Sequence, residues 1–179
     1  MKSKAIRQFK IIVLGDSAVG KTSMLEQFFS GVFSCQYKPT IGTDFNTKEL
    51  TVNDTVVKLN VWDTAGQEQW SPQMGVTYYR GADAALFVYD LSSANSLQSV
   101  KKWHDNFFQA SGQKIPFFLI GNKLDKQNPE VTDASALQMA EIIGVPVQRV
   151  FKCSAKTGEN VPVIFDKVAE TCLENFKKE

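Results

Sequence analysis

The sequence predicts an α/β fold in which a mostly parallel β-sheet is covered by helices on both faces. Near-continuous apolar runs alternate along the chain with segments whose apolar residues recur at helical spacing, which is typical of buried parallel strands and their connecting helices. A hairpin pattern early in the chain adds one antiparallel strand at the edge. The 179 residues contain no repeat, low-complexity tract or linker, and we expect a single domain over residues 1–179.

Five apolar runs are the predicted strands of the main sheet. A sixth strand is predicted at 46–52, because NTKELTV faces TVVKLNVW (55–62) across the turn-forming pair Asn53-Asp54. The five runs are FKIIVLG (9–15), VVKLNVW (56–62), AALFVYD (84–90), IPFFLIG (115–121) and VQRVFKC (147–153).

Three helices are predicted from apolar periodicity. The first begins in the glycine-rich loop after the opening strand and presents Leu25, Phe28 and Phe29 on one face. The second helix carries Leu97, Val100, His104, Phe107 and Phe108 at helical spacing. We interpret His104 as a partly buried histidine, and the aromatic residues around it (Trp103, Phe107 and Phe108) as packing. The third helix carries Val161, Ile164, Phe165, Val168, Ala169, Cys172, Leu173 and Phe176.

Composition narrows the class of protein. With 43% hydrophobic and 22% charged residues the chain is of ordinary globular type, and a net charge of +1 gives no reason to expect nucleic-acid binding. An odd number of cysteines (Cys35, Cys153 and Cys172) without metal-like spacing indicates a reduced, intracellular protein. No stretch has the pattern of a signal peptide or the length of a membrane span, so we expect a cytoplasmic protein.

In a parallel sheet, ligands bind at the carboxyl ends of the strands, and four of these ends carry polar motifs. The first is the loop GDSAVGKT, which fits the phosphate-binding pattern G-x-x-x-x-G-K-[ST] with Gly15, Gly20, Lys21 and Thr22 between a strand and a helix. Its backbone N–H groups and the helix N-terminus would hold phosphate oxygens. Lys21 would reach the β- and γ-phosphates, and the Thr22 hydroxyl would bind Mg²⁺.

The second motif is WDTAGQE (62–68), at the end of the second hairpin strand. Asp63 is placed to hold the Mg²⁺ shell beside the phosphate loop. Gly66 leaves its N–H free to approach a γ-phosphate, because no side chain stands in the way. Gln67 is then placed to orient an attacking water molecule.

The third and fourth motifs, GNKLD (121–125) and CSAKTG (153–158), predict a guanine site. The Asp125 carboxylate can accept hydrogen bonds from two guanine N–H groups, a donor pair that adenine lacks. Asn122 would brace this loop, and the stem of Lys123 would pack along the base. The N–H of Ala155 would contact the guanine oxygen, with Lys156 beside the ring.

These four motifs in this order closely resemble the Ras-like small GTPases over essentially the whole chain. The pieces IGTDF, KLNVWDTAGQE, YYRGADA and LFVYDLSS resemble the Rab branch, and GDSAVGKTSMLEQF and QYKPTIGTDF the late-endosomal and lysosomal Rab type. The resemblance implies a G domain with a six-stranded, mostly parallel sheet that binds GTP or GDP with Mg²⁺ and hydrolyses GTP slowly.

The resemblance also implies roles for individual residues. YKPTIGTDF (37–45) resembles the first switch, so that Thr40 binds Mg²⁺ and the γ-phosphate. Gln67, Lys21 and Thr40 would be the catalytic residues, and Thr22, Thr40 and Asp63 the metal ligands. Phe33 would stack at the base edge, and effectors would read Phe45, Trp62 and Tyr78. The full set of nucleotide contacts would be Ser17, Ala18, Val19, Gly20, Lys21, Thr22, Ser23, Phe33, Tyr37, Thr40, Gly66, Asn122, Lys123, Asp125, Ser154, Ala155 and Lys156.

By the same resemblance the partners are an exchange factor, a GAP, Rab effectors, and GDI and the prenylation machinery if a tail exists. We expect a monomer that cycles to the cytosolic face of endosomal membranes when lipidated. No prenylated cysteine tail is present in this sequence, and we favour its removal over its true absence.

The second switch departs from the Rab pattern, and this leaves two functions open. QEQWSPQMGVTYYRG (67–81) carries Trp70 in place of a smaller aromatic residue and Pro72 where a helix often begins. The change either re-aims the effector surface or displaces Gln67, which would leave a nucleotide-loaded binding module with little hydrolysis. A phosphotransferase of the adenylate-kinase kind is disfavoured by the guanine motif and by the presence of only three arginines, Arg7, Arg80 and Arg149.

Overall fold

A computed structural model describes residues 6–34, 43–64, 78–112 and 114–178. Within these ranges, six strands form one sheet in the order β2-β3-β1-β4-β5-β6. The strands are β1 (Ile6–Leu14), β2 (Thr43–Val52), β3 (Thr55–Thr64), β4 (Ala84–Asp90), β5 (Phe117–Asn122) and β6 (Val150–Lys152). The helices are α1 (Lys21–Ser30), α2 (Ala94–Ser111), α3 (Asp133–Ile142) and α4 (Val161–Phe176), with a 3-10 turn at Val147–Arg149.

Strand pairing confirms the predicted α/β class. β1 lies parallel to both β3 and β4, and β4–β5 and β5–β6 are also parallel. β2 alone is antiparallel, at the edge beside β3. The hairpin turn between them has Asn53 and Asp54 at φ 46° and 61°, the left-handed pair that suits the twist of a two-residue hairpin.

Two hydrophobic core clusters lie on opposite faces of the sheet, because successive residues of a strand point to opposite sides. In β1, Ile11 and Val13 belong to the first core cluster, which also contains buried residues of α1 and α4. Ile12 and Leu14 belong to the second core cluster, which contains buried residues of α2 and α3. The prediction of helices on both faces is therefore confirmed.

Helix α2 packs as its apolar spacing predicts. Trp103 and Phe107 are buried in the second core cluster. The His104 side chain is 17% exposed, and its ring lies 5.1 Å from that of Phe117 in an edge contact, which confirms a partly buried histidine. Phe108 is 46% exposed, so that it packs less fully than its neighbours.

β1 and β2 each begin three residues earlier than predicted, and the structure differs further from the predicted elements at two places. The run 147–153 forms a strand only at Val150–Lys152, since the residues after Pro146 make a 3-10 turn first. Helix α3 was not predicted, because its buried residues are the small Ala136 and Ala140, which give a weak periodic signal. The feature of the sequence that indicates this helix is its N-terminal cap, where the Thr132 hydroxyl accepts a hydrogen bond from the Ser135 backbone N–H.

Candidate functional site

The loop between β1 and α1 requires glycine at two positions. Gly15 has φ 149°, and a Cβ there would lie 2.2 Å from the carbonyl oxygen of Val88. Gly20 has φ 94°, and a Cβ there would lie 2.4 Å from Nδ2 of Asn122. Gly20 also precedes α1 without a side-chain cap, and the first turn holds no acidic residue. This helix end therefore has the character of an anion site.

Lys21 is held close to this loop. Its side chain is buried, and Nζ donates hydrogen bonds to the carbonyl oxygens of Gly15 and Asp16, each at 2.8 Å. A buried ammonium needs such oxygen partners. These two carbonyl oxygens hold the Lys21 ammonium group next to the start of the phosphate loop.

Thr22 and Asp63 join the start of α1 to the end of β3. The Thr22 hydroxyl donates to Asp63 Oδ2 at 2.6 Å. Asp63 is 2% exposed, and its Oδ1 is buried without a hydrogen-bond partner among the described residues. Burial raises the pKa of Asp63, although the Thr22 hydroxyl and Lys21 act in the opposite direction.

An orphaned buried carboxylate oxygen next to a hydroxyl fits a Mg²⁺ ion, which prefers oxygen ligands. Within the ranges that the structure describes, no group of three or more His, Cys, Asp or Glu side chains could hold a metal by itself. A Mg²⁺ ion here would therefore take further ligands from phosphate oxygens and water, as Mg²⁺ does in nucleotide sites.

Asn122, at the end of β5, connects two loops. Its Nδ2 donates to the carbonyl oxygens of Val19 (3.0 Å) and Gly20 (3.3 Å) in the phosphate loop. Its Oδ1 accepts from the backbone N–H of Ala155 at 3.0 Å. Asn122 is 1% exposed, so that these bonds form in a dry environment. Asn122 thus links the phosphate loop to the loop that contains Ala155, and its predicted role in bracing its own loop stays a prediction.

Lys123 reaches back over the phosphate loop. It adopts a left-handed backbone conformation (φ 68°), and its Nζ donates to the carbonyl oxygen of Ala18 at 2.6 Å. The same Nζ lies 2.7 Å from Asp90 Oδ2. Burial alone would raise the pKa of Asp90, but hydrogen bonds from Lys123 and Ser92 lower it below its usual value. The Lys123 ammonium group is therefore held by two partners, the Ala18 carbonyl oxygen and the Asp90 carboxylate.

The sequence motifs do not predict Asp90 as part of this arrangement. Four strand ends carry the predicted motifs, and the end of β4, where Asp90 is the last strand residue, is not among them. An aspartate that closes an otherwise apolar, fully buried strand is the signal that could have identified it.

Ser154 joins the two motifs of the predicted guanine site by a hydrogen bond. Ser154 is fully buried, and its Oγ donates to Asp125 Oδ1 at 2.6 Å while accepting from the backbone N–H of Thr157 at 3.1 Å. Asp125 itself is exposed, so that one carboxylate oxygen is fixed while the group faces solvent. Ala155 is buried beside it, and Lys156 is exposed.

The remaining predicted contacts are distributed as follows. Phe33 is half-buried and packs against the first core cluster. Ser17 and Ala18 are exposed, Val19 is buried, and Ser23 is half-buried. The predicted residues Tyr37, Thr40, Gly66 and Gln67, with Cys35, Trp70 and Pro72, lie outside the described residues.

An aromatic row lies on the β2–β3 hairpin and continues to Tyr78. Phe45 and Trp62 are paired across the two strands, with ring centroids 5.2 Å apart. Trp62 and Tyr78 make an edge contact at 6.2 Å, and Lys10 Nζ lies 4.7 Å from the Trp62 ring centre. Phe45 is 49% exposed, so that this row presents an apolar face to solvent.

The fold and these loops define a phosphate-loop nucleotide-binding protein, and the sequence profile of the Ras family matches residues 10–174. The chain belongs to the Ras family. Its relatives include the Ras-related protein Rab7 of Drosophila melanogaster, 45% identical over 170 residues, which cover 92% of this chain and 80% of the relative. The Ypt/Rab-type GTPase YPT7 of Saccharomyces cerevisiae is 41% identical over 182 residues, covering 97% of this chain and 86% of that protein.

The Ras-related protein Rab-7a of Dictyostelium discoideum is also similar, with 40% identity over 179 residues, covering 97% of this chain and 86% of the relative. These relatives confirm the Rab resemblance, and with it a Rab-type small GTPase that uses GTP, GDP and Mg²⁺. In the part of the chain that the structure describes, no helix has the length and apolar character to cross a membrane.

Proposed function

We propose that this chain is a GDP/GTP switch of the Rab type that acts in endosomal and vacuolar membrane traffic. The observation that carries the proposal is the position of Asn122, which joins the phosphate loop to the Ala155 loop by hydrogen bonds. A nucleotide with its phosphates on one loop and its base on the other would be bound by one rigid unit.

At the phosphate end, the backbone N–H groups of the loop and of the first turn of α1 hold the phosphates. The residues that contact the nucleotide here are Ser17, Ala18, Val19, Gly20, Lys21, Thr22 and Ser23. Thr22, Thr40 and Asp63 are the proposed Mg²⁺ ligands, and Gly66 approaches the γ-phosphate. When bound, Mg²⁺ supplies positive charge against the phosphate oxygens. Lys21 supplies a second positive charge from its fixed place at Gly15 and Asp16.

At the base end, Asp125 accepts hydrogen bonds from guanine, and Ser154 holds the carboxylate in orientation. The Ala155 N–H donates to Asn122 Oδ1, which holds this loop in place, and its contact with the guanine oxygen remains part of the proposal. Lys123 and Lys156 flank the ring, and Phe33 and Tyr37 complete the base and ribose side. Adenine is rejected because it would leave the Asp125 carboxylate without donors.

The reaction is attack of a water molecule on the γ-phosphate, with Gln67 orienting the water and Thr40 as a ligand of Mg²⁺ and the γ-phosphate. The three arginines lie elsewhere: Arg7 is over the Phe176 ring and Arg149 over the Phe118 ring. The Arg80 carbonyl oxygen accepts a hydrogen bond from Lys10 of β1. Without an arginine in the site, intrinsic hydrolysis is expected at about 10⁻⁴ to 10⁻² s⁻¹, and a GAP would accelerate it.

The proposed partners follow from the switch cycle. An exchange factor and a GAP act on the nucleotide, and effectors read the aromatic row of the exposed Phe45 and the half-buried Trp62 and Tyr78. Residues 1–179 form a single monomeric domain. Membrane attachment is through lipidation, in cooperation with GDI and the prenylation machinery.

The deciding experiment is single-turnover GTP hydrolysis by Mg²⁺-loaded wild-type protein and the Gln67→Leu variant. Slow hydrolysis by the wild type, clearly faster than by the variant, supports the switch with Gln67 as the water-positioning residue. Equal inertness of the two would instead support the alternative, a nucleotide-loaded binding module whose second switch does not position water.

Base recognition has a separate test with the Asp125→Asn variant. We expect GDP affinity to fall by about 10²-fold or more, and xanthosine diphosphate, which offers the complementary groups to an amide, to bind better than GDP. Undiminished GDP affinity in this variant would contradict the assignment of Asp125.

A further inference from the structure

The indole of Trp103 makes a long-range hydrogen bond to the phosphate loop. Its Nε1–H donates to Asp16 Oδ1 at 2.8 Å, between residues 87 positions apart. Trp103 is 7% exposed on α2, and a buried indole N–H requires an acceptor. A carboxylate is a stronger acceptor than a neutral oxygen. Trp103 therefore does more than fill the second core cluster.

Asp16 is also tied to the lysine of the loop. Its backbone carbonyl oxygen accepts a hydrogen bond from Lys21 Nζ at 2.8 Å. The preceding Gly15 is confined by the Val88 carbonyl oxygen, 2.2 Å from where a Cβ would stand. One residue thus contacts Trp103 through its side chain and Lys21 through its backbone.

A carboxylate at Asp16 poses an electrostatic problem in a loop that binds phosphate. Like charges repel, and the repulsion is strong where water is excluded. Trp103 belongs to the second core cluster, whereas the buried residues of α1, such as Met24 and Leu25, belong to the first, on the other face of the sheet. The hydrogen bond therefore draws the Asp16 carboxylate toward α2 and away from the face on which α1 packs.

We propose that Trp103 is a positioning residue for nucleotide binding, which keeps the Asp16 carboxylate turned away from the phosphates. The inference rests on the proposed function, because it needs a bound polyphosphate. Trp103 acts through Asp16 and makes no contact with the nucleotide itself. The contribution is the removal of a repulsion rather than the addition of an attraction.

The test is the rate at which the Mg²⁺-loaded protein releases a fluorescent GDP. Trp103→Phe keeps an aromatic ring and loses the N–H, and we expect release about three- to tenfold faster than in the wild type. Adding Asp16→Asn to this variant removes the carboxylate charge, and release should return to within about twofold of the wild type. The effect of the single variant should shrink at high salt, because salt screens the repulsion.

Phe107→Leu is the matched control. Phe107 is fully buried on the same helix and in the same cluster. Its truncation should lower the melting temperature and leave GDP release unchanged. A loss of packing alone, if that were the effect of Trp103→Phe, would not be repaired by Asp16→Asn.

A second pair of variants tests the charge without altering the core. Asp16→Glu keeps the charge on a longer side chain that no longer fits the 2.8 Å contact, and it should speed release. Asp16→Asn should stay within about twofold of the wild type. Equal release from the Glu and Asn variants, or from Trp103→Phe and the wild type, would overturn the inference alone. A wild-type protein that retains no GDP would overturn the proposed function, and this inference with it.

Discussion

Asn122 accepts a hydrogen bond from the backbone N–H of Ala155 at 3.0 Å, while its own amide N–H groups donate to the phosphate loop. One buried amide thereby satisfies polar groups in two loops that are far apart in the sequence. Removal of this side chain would take the bonding partner from the Ala155 N–H and the Val19 carbonyl oxygen away from water, where each unpaired group is costly, whereas the Gly20 carbonyl oxygen would keep its bond from the Met24 N–H.

Asn122→Ala is therefore expected to lower the free energy of unfolding by about 3 kcal/mol and to weaken GDP binding strongly. Urea unfolding with and without GDP measures both effects. Asn60→Ala is the control, because Asn60 bonds Thr47 and Gln8 side chains at an exposed place, and it should cost less than about 1 kcal/mol. Similar losses in the two variants would contradict the bracing role of Asn122.

Gly20→Ala and Gly31→Ala separate backbone strain from collision. Both glycines flank α1 with positive φ, 94° and 69°. The Cβ at Gly20 would meet Asn122 Nδ2, while that at Gly31 would meet none of the described residues within 4 Å. Gly31→Ala should cost about 1 kcal/mol, and Gly20→Ala at least about 2 kcal/mol more. Chemical denaturation of the two variants gives the difference, and equal costs would show that Asn122 yields without loss.

The charge of Asp90 should make stability depend on pH. The pKa of Asp90 is lowered in the folded state, so that its carboxylate stabilises the fold above the unfolded pKa of about 3.8. This contribution is lost as the pH falls through the lowered folded value.

Asp90→Asn should accordingly lower the free energy of unfolding by about 1–3 kcal/mol at pH 7, and the gap from the wild type should close below pH 4. Urea titrations from pH 7 to pH 3 measure it. Asp166→Asn, at an exposed position of α4, should shift stability by less than about 0.5 kcal/mol at pH 7. A gap for Asp90→Asn that stays constant with pH would rule out the charge of Asp90 as its source.

Magnesium removal tests Asp63. Asp63→Asn keeps an oxygen near Thr22 but removes the negative charge, and about tenfold more Mg²⁺ should be needed to slow GDP release. Asp44 lies opposite Asp63 on the neighbouring strand and is exposed, so that Asp44→Asn is a matched control. A titration of release rate against free Mg²⁺ compares the three proteins, and overlapping curves for Asp63→Asn and the wild type would remove Asp63 from the metal site.

The parts of the fold and site that depend on local pattern could be predicted from the sequence. The apolar run of β4 is buried throughout, as its composition indicates, and the spacing of Gly15, Gly20 and Lys21 places the phosphate loop. Helix α3 was not predicted, because its buried residues are alanines, which differ little in hydrophobicity from the residues around them and so give a weak helical period.

Contacts between distant residues escaped for another reason. A tryptophan on an apolar helix face is typical of packing, and nothing near Trp103 in the sequence indicates that its N–H reaches Asp16, 87 residues earlier. The partner of Asp90 likewise depends on how β4 and β5 lie side by side. Such pairs are properties of the assembled sheet.

Ala18 and Lys123 are both non-glycine residues in left-handed conformations, and one hydrogen bond of 2.6 Å joins them across 105 residues. Each such conformation costs about 1 kcal/mol or more, and the rest of the fold supplies that free energy. A ligand present at a thousand times its Kd would add about 4 kcal/mol to the stability of the whole domain by mass action, so that a bound nucleotide would also help to hold these two strained residues in place.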